Sequence, residues 1–222
     1  MMYIQKMWRW LLFFWMAVVI YFAFAEPAPQ QQIGETSRIF YFHVPCAWTC
    51  VLAFFITALF SVRYLLKKDP ALDSKAALSA QLGLMFCILA TLSGSIWARF
   101  AWGAFWNWDP RQTSIFLQLL IYLAYFSLRG SISETEKRAT FSAAYAILAF
   151  LTVPFLIFVV PRITPSLHPS DTVIGKEAKF NLGLEEFLIL GASFISFTCL
   201  YYQLYRLGAK IKVAELARKG TE

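Results

Sequence analysis

Six apolar runs, each long enough or nearly long enough to cross a bilayer as a helix, constrain this chain more than any other feature. A hydrocarbon core about 30 Å thick needs roughly 20 helical residues. The runs fall at about Trp10–Ala25, Val44–Leu66, Ala76–Ile96, Ser114–Leu128, Ala139–Val160 and Gly183–Tyr205. In lipid each backbone N–H and C=O must find its partner within the segment, so runs of this kind predict helices. With 59% hydrophobic and 15% charged residues over 222 positions, no soluble domain could hide so much apolar surface. The expected fold class is an all-α integral membrane protein with six transmembrane helices, a single membrane domain over residues 1–222. There is no internal repeat, low-complexity tract or soluble domain. The fourth run is short and is expected to begin inside the segment before it. Lys6, Arg9 and the stretch ending Ala23-Phe24-Ala25 also have the pattern of a signal peptide, but the bulky aromatic core favours a retained span.

Orientation follows from the basic residues that flank the runs. One side carries Lys6, Arg9, Arg63, Lys67, Lys68, Lys75, Arg129, Lys137, Arg138, Arg206, Lys210, Lys212, Arg218 and Lys219. The other carries Arg38, Arg99, Arg111, Arg162, Lys176 and Lys179. The positive-inside rule therefore predicts both termini in the cytoplasm. The net charge of +7 reflects this anchoring in the lipid headgroup region and gives no reason to invoke nucleic acid. The tail 207–222 is basic with helical character and is expected along the cytoplasmic surface.

The connections are unequal. KKDPALDSK and RGSISETEKR read as plain turns on the cytoplasmic side, whereas Glu26–Phe42, Trp97–Thr113 and Pro161–Leu182 are longer and richer in special residues. Function concentrates in loops held by a rigid scaffold, which directs attention to the outer face. The segment 97–114, WARFAWGAFWNWDPRQTS, holds four of the eight tryptophans. Trp at an interface is ordinary, but this density suggests a platform for a flat, aromatic, anionic ligand. As a strand, Trp102, Trp106 and Trp108 would share a face; as a helix, Trp102 and Trp106 would align while Trp108 turned away. Gly103 permits close approach of a backbone or ligand. Pro110 suits the first turn of the fourth helix, and Asp109 its cap.

The two histidines both fall on the outer side, His43 where the second run begins and His168 in the last outer loop, each near a proline (Pro45, Pro169). Alone, either is an ordinary interface histidine. Together, two neutral imidazoles from separate elements can supply both axial ligands of a haem iron. Zinc would want three or four ligands, and the outer face offers little beyond this pair. Arg99, Arg111, Arg38 and Arg162 are the cations available for carboxylate groups, a task suited to forked guanidinium donors. Cys46, Cys50, Cys87 and Cys199 read as small apolar helix residues. There is no C-x-x-C-H motif and no Walker motif.

The segment WGAFWNWDPRQTS, with FYFHVPCAW before it and LHPS after it, resembles the tryptophan-rich "WWD" signature of haem-handling proteins in cytochrome c biogenesis. The similarity is to the small CcmC family of the multi-component system I pathway, and it covers essentially the whole chain. The residues Pro110-Arg111-Gln112 and Ala104-Phe105 depart from the commonest form of the signature. The resemblance implies that His43 and His168 ligate the iron of transiently bound haem b. It implies that Trp102, Gly103, Trp106, Trp108 and Asp109 receive the porphyrin, with Arg111 and Arg99 toward the propionates. It further implies haem-presenting loops on the outer face of a bacterial cytoplasmic membrane. The implied partners are ABC transporter subunits, a small single-span subunit and a membrane-anchored haem chaperone. Such a protein is an assembly factor rather than an enzyme. Two other readings remain open at this level: a transporter subunit that moves haem or another solute through its own helices, and an oxidoreductase subunit with a permanent b-type haem.

Overall fold

The computed structural model describes residues 2–28, 31–168 and 182–219. Helices are the only regular secondary structure among the described residues, and six are long and apolar enough to span a membrane: Met7–Ala25, Gly34–Lys67, Pro70–Trp102, Pro110–Ser131, Thr135–Ile163 and Leu184–Lys212. The element order is α1 (Met2–Ala25), a 3₁₀ segment (Gln31–Ile39), α2 (Phe40–Lys67), α3 (Pro70–Trp102), α4 (Pro110–Ser131) and α5 (Thr135–Pro154). A π-helical turn (Phe155–Val159), α6 (Val160–Ile163) and α7 (Leu184–Lys219) complete it. This is a multi-pass membrane protein, as the apolar runs require.

The antiparallel pair α2 and α3 forms the most extensive packing in the molecule. Two glycines of α3 set its register. A Cβ on Gly83 would lie 2.6 Å from the Phe54 ring, and one on Gly94 would lie 2.8 Å from His43 Cε1. Gly83 and Gly94 are thus spaced along α3 as Phe54 and His43 are along α2, about three turns in each case. Small residues on a helix face let backbones approach, and in a bilayer that close packing is the main source of association. Ala53, Ala80, Ala90 and Ala146 add to the same core, where Phe54 stacks on Tyr122 of α4 at 3.4 Å between ring centroids.

The sharp turns at helix ends are chemically specified. Asp69 caps α3, accepting from Ala71 N at 2.9 Å with Pro70 in the first turn, and Lys68 closes α2 in the left-handed region. KKDPALDSK is therefore mostly helix, and the turn within it shrinks to Lys68-Asp69. Near the same end, Arg129 holds Asp73 through two hydrogen bonds of 2.7 and 2.5 Å, joining α4 to α3. α1 is peripheral, packed on α7, with Trp15 Nε1 donating to Ala192 O at 3.4 Å. Its large exposed apolar residues are what a lipid-facing helix requires. The buried guanidinium of Arg38 ties the end of α1 to the 3₁₀ segment through Ala23 O (2.7 Å) and Glu26 O (2.5 Å). The helical character expected of 207–222 is that of the last turns of α7, which runs unbroken to Lys219. Residues 220–222 lie outside the described residues.

Candidate functional site

The site lies at the end of the bundle where α3 stops and α4 starts. α3 ends at Trp102, and Gly103 takes the left-handed conformation that a helix C-cap favours (φ 81°). Neither geometry expected for the tryptophans holds across this break. Trp102 is the last helical residue, while residues 103–109 form an irregular connection that carries Trp106 and Trp108. Trp108 itself has φ 54° and is 68% exposed, with its ring edge-on to Trp106 at 5.8 Å. Trp106 in turn packs edge-on against Phe116 at 6.0 Å.

The connection is held by Gln112, a buried residue of α4. Its amide oxygen accepts from Asn107 N at 2.8 Å and its amide nitrogen donates to Phe105 O at 3.2 Å. Asn107 closes a further turn onto Ala104 O at 3.2 Å. Read in sequence, Gln112 was only part of a departure from the signature; in the structure it fixes the path of the tryptophan segment.

Asp109 organises the other half. It caps α4 by accepting from Arg111 N at 2.9 Å, with Pro110 in the first turn, as its position predicts. The same carboxylate accepts from Leu167 N at 2.7 Å and Ser166 Oγ at 2.8 Å, and pairs with His168 Nδ1 at 2.9 Å. Its side chain is fully buried beneath these partners. Burial works against the charge, but the N–H groups of Arg111 and Leu167, the Ser166 hydroxyl and the nearby His168 together hold its pKa below the ordinary value. The carboxylate is therefore ionised near neutrality and can only accept, which puts the imidazole proton on His168 Nδ1 and leaves the Nε2 lone pair free. Burial pushes the His168 pKa down to about 4; Asp109 opposes this, while Arg111 adds to it. The imidazole is neutral at pH 7, the form that binds a metal.

His168 reaches this place because the fifth span, Thr135–Ile163, ends in an unusual way. Pro154 interrupts α5, a π-turn follows in which Val160 N–H donates to Phe155 O, and α6 stops after one turn at Thr164. The chain then crosses to Asp109. There His168 meets two indoles, Trp102 at 4.7 Å in a T-shaped contact and Trp97 at 5.6 Å, which are themselves edge-on at 4.9 Å. Trp97 was part of the sequence run but not among the residues singled out. At five residues apart on a helix it does not share a face with Trp102, so periodicity gave no sign that the two would meet. Pro169, Lys176 and Lys179 lie outside the described residues.

His43 sits in the first turn of α2, with Ser93 and Gly94 of α3 around it. His43 Nδ1 is 3.0 Å from Ser93 Oγ, whose own proton goes to Leu89 O at 2.7 Å. With that proton committed, Ser93 accepts from Nδ1–H and His43 also keeps Nε2 free. The two imidazoles lie within electrostatic range of one another, and Arg111 is within range of both. Arg111 Nε is buried without a hydrogen-bond partner among the described residues.

The other cations are differently placed. Arg99 donates to Gly103 O and lies over Phe105 at 5.9 Å. Arg162 donates to Phe158 O at 2.7 Å, and Arg38 is committed to the α1 end and to Glu35 at 2.5 Å. Among the described residues no three His, Cys, Asp or Glu side chains gather to hold a metal ion. The four cysteines are unbridged. The residues present nevertheless suit an iron porphyrin. Two imidazoles are each tied at Nδ1, aromatic rings surround one of them, and a buried arginine nitrogen lacks an acceptor among the described residues.

The family model for CcmC, heme exporter protein C, matches residues 1–221. The chain belongs to the CcmC family. A putative cytochrome c biosynthesis ccmC-like mitochondrial protein of Marchantia polymorpha is 30% identical over 189 residues, 85% of this chain and 80% of that protein. A heme exporter protein C of Bradyrhizobium diazoefficiens is 31% identical over 143 residues, 64% of this chain and 54% of its own length. A cytochrome c biogenesis protein CcsA of Fagopyrum esculentum subsp. ancestrale is 33% identical over 105 residues, 47% of this chain and 32% of the relative. Membership in CcmC places the chain among haem-handling components of cytochrome c biogenesis rather than among catalytic enzymes.

Proposed function

We propose that this CcmC-family protein holds haem b transiently between His43 and His168 and passes it to a haem chaperone for cytochrome c maturation. The observation that carries the reading is the matched pair of imidazoles, each with Nδ1 tied (His43 by Ser93, His168 by Asp109) and Nε2 left for iron. Haem is the cargo, and its iron supplies two axial positions for neutral nitrogen ligands. Asp109 acts as a positioning residue: it sets the tautomer and ring orientation of His168 and strengthens it as a donor. Trp102 and Trp97 shield the His168 side from water, and Trp106 offers further aromatic surface. Arg111, whose Nε has no partner among the described residues, is the first candidate for a propionate; Arg99, donating to Gly103 O, stands behind it. Trp108, at 68% exposure, and Gly103 are left facing outward, where an incoming carrier would meet the porphyrin edge.

The excess of lysine and arginine at the opposite end of the bundle supports an outer, periplasmic position for this site in the bacterial inner membrane. ABC transporter subunits and a small single-span subunit are the partners this reading assigns to the protein. ATP hydrolysis would belong to the transporter, as no Walker motif occurs in this sequence.

The test uses purified protein in mild detergent, loaded with ferric haem and then mixed with excess apomyoglobin as a generic acceptor. The expected result is a low-spin spectrum on loading, followed by complete transfer of haem to apomyoglobin. Failure to bind haem refutes the platform. Haem that stays on the protein favours instead a permanent b-type centre.

A further inference from the structure

Away from the haem site, α3 presents one lipid-facing stripe with a chemical oddity. Gln81, Leu84, Met85, Ile88 and Leu89 recur at three- and four-residue spacing, and with Phe126 of α4 they line an open groove of about 370 Å³. Gln81 is exposed, as are Met85, Ile88 and Leu89. No hydrogen bond to its amide occurs among the described residues. The surrounding run, residues 76–96, contains no charged side chain. α3 is roughly 50 Å long at 1.5 Å per residue, and Gln81 lies about 16 Å from its Pro70 end. Centring a core of about 30 Å on the helix leaves the amide roughly 6 Å inside the hydrocarbon. An unpaired amide in that medium is costly, which makes a hydrogen-bonding occupant of the groove favourable.

We propose that this groove seats a transmembrane helix of a different polypeptide, one that carries a hydrogen-bonding side chain (Asn, Gln, Ser or Thr) at the depth of Gln81. A lipid acyl chain could fill the apolar part but would leave the amide unpaired. A second copy of this chain fits poorly. A two-fold contact sets the same patch against itself, and two concave stripes walled by Leu84, Met85, Ile88 and Phe126 leave a void between them. A ridge with small residues beside its polar group fills the groove and reaches the amide.

The experiment places the photo-crosslinking residue p-benzoylphenylalanine at position 85 (Met85→p-benzoylphenylalanine) of the full chain, expressed in its native membranes. A control substitution is made at Leu148, a residue of α5 that is 64% exposed. Expected is an adduct from position 85, absent from position 148, mapping to an apolar segment of about 20 residues that contains a polar side chain. Gln81→Leu should lower that adduct about fivefold, the change expected for one interhelical hydrogen bond, and Gln81→Asn should restore most of it. An adduct with lipid alone, an adduct with a second copy of the chain, no adduct, or an adduct indifferent to Gln81→Leu each overturns the proposal.

Discussion

At His43 the imidazole is fixed from two directions, by Ser93 Oγ at 3.0 Å from Nδ1 and by the bare Cα of Gly94. A methyl group at Gly94 would stand 2.8 Å from His43 Cε1, closer than such contacts occur, so the ring or the helix must shift. Gly94→Ala is therefore expected to weaken ferric-haem binding by roughly 10- to 100-fold, the range found when the residues that orient a metal ligand are changed. Gly130→Ala, where nothing lies within 4 Å of the added carbon, should leave binding unchanged; titration of both variants followed by absorption checks this. His168 provides a second residue-scale prediction. Burial holds its pKa near 4 against the pull of Asp109, while an unfolded histidine titrates near 6.5. Above about 6.5 both states are neutral. As the pH falls from 6.5 toward 4, the unfolded chain takes up a proton that the folded site refuses, so folded stability declines across that window. Within it the folded site keeps its lone pair. The low-spin spectrum of bound ferric haem should thus survive from pH 7 to about 5 and disappear near 4, whereas loss centred at 6.5 would mean that His168 is solvated.

The connection between α3 and α4 shows what one buried amide does for an irregular element. Gln112 bonds Asn107 N and Phe105 O, so Gln112→Ala leaves two backbone groups without partners. The expected consequence is amide exchange at Asn107 at least about tenfold faster, with α4 unaltered because Asp109 still caps it. Hydrogen exchange read by mass spectrometry over residues 103–109 measures this. The element also marks where sequence reading stopped. Pro110 and Asp109 announced the start of α4 through local rules, and the structure agrees. The path of Trp106 and Trp108 was not legible, because strand and helix templates both assume regular backbone, and Gly103 with the left-handed Trp108 breaks it. The contact of Trp97 with Trp102 and His168 likewise depends on a long-range crossing, from Thr164 back to Asp109, that no short-range pattern encodes. Ser93 and Gly94 carried a faint signal, a small polar pair inside an apolar run.

Over the whole molecule, the count of six spans followed from apolar length alone, since a bilayer leaves the backbone few alternatives. What the runs did not contain was the register that brings the second and third helices together. That register comes from shape, with Gly83 opposite Phe54 and Gly94 opposite His43. Because those two pairs share one spacing, the packing that closes the core also delivers His43 to the end of the bundle where Asp109 holds His168. The central claim is that both imidazoles bind one iron, and low-temperature electron paramagnetic resonance of the ferric-haem complex tests it most directly. The wild-type protein should give a low-spin, bis-imidazole signal. His43→Ala and His168→Ala should each convert it to a high-spin signal while the protein stays folded. A low-spin signal that persists in the double variant would place the ligands elsewhere and contradict the account.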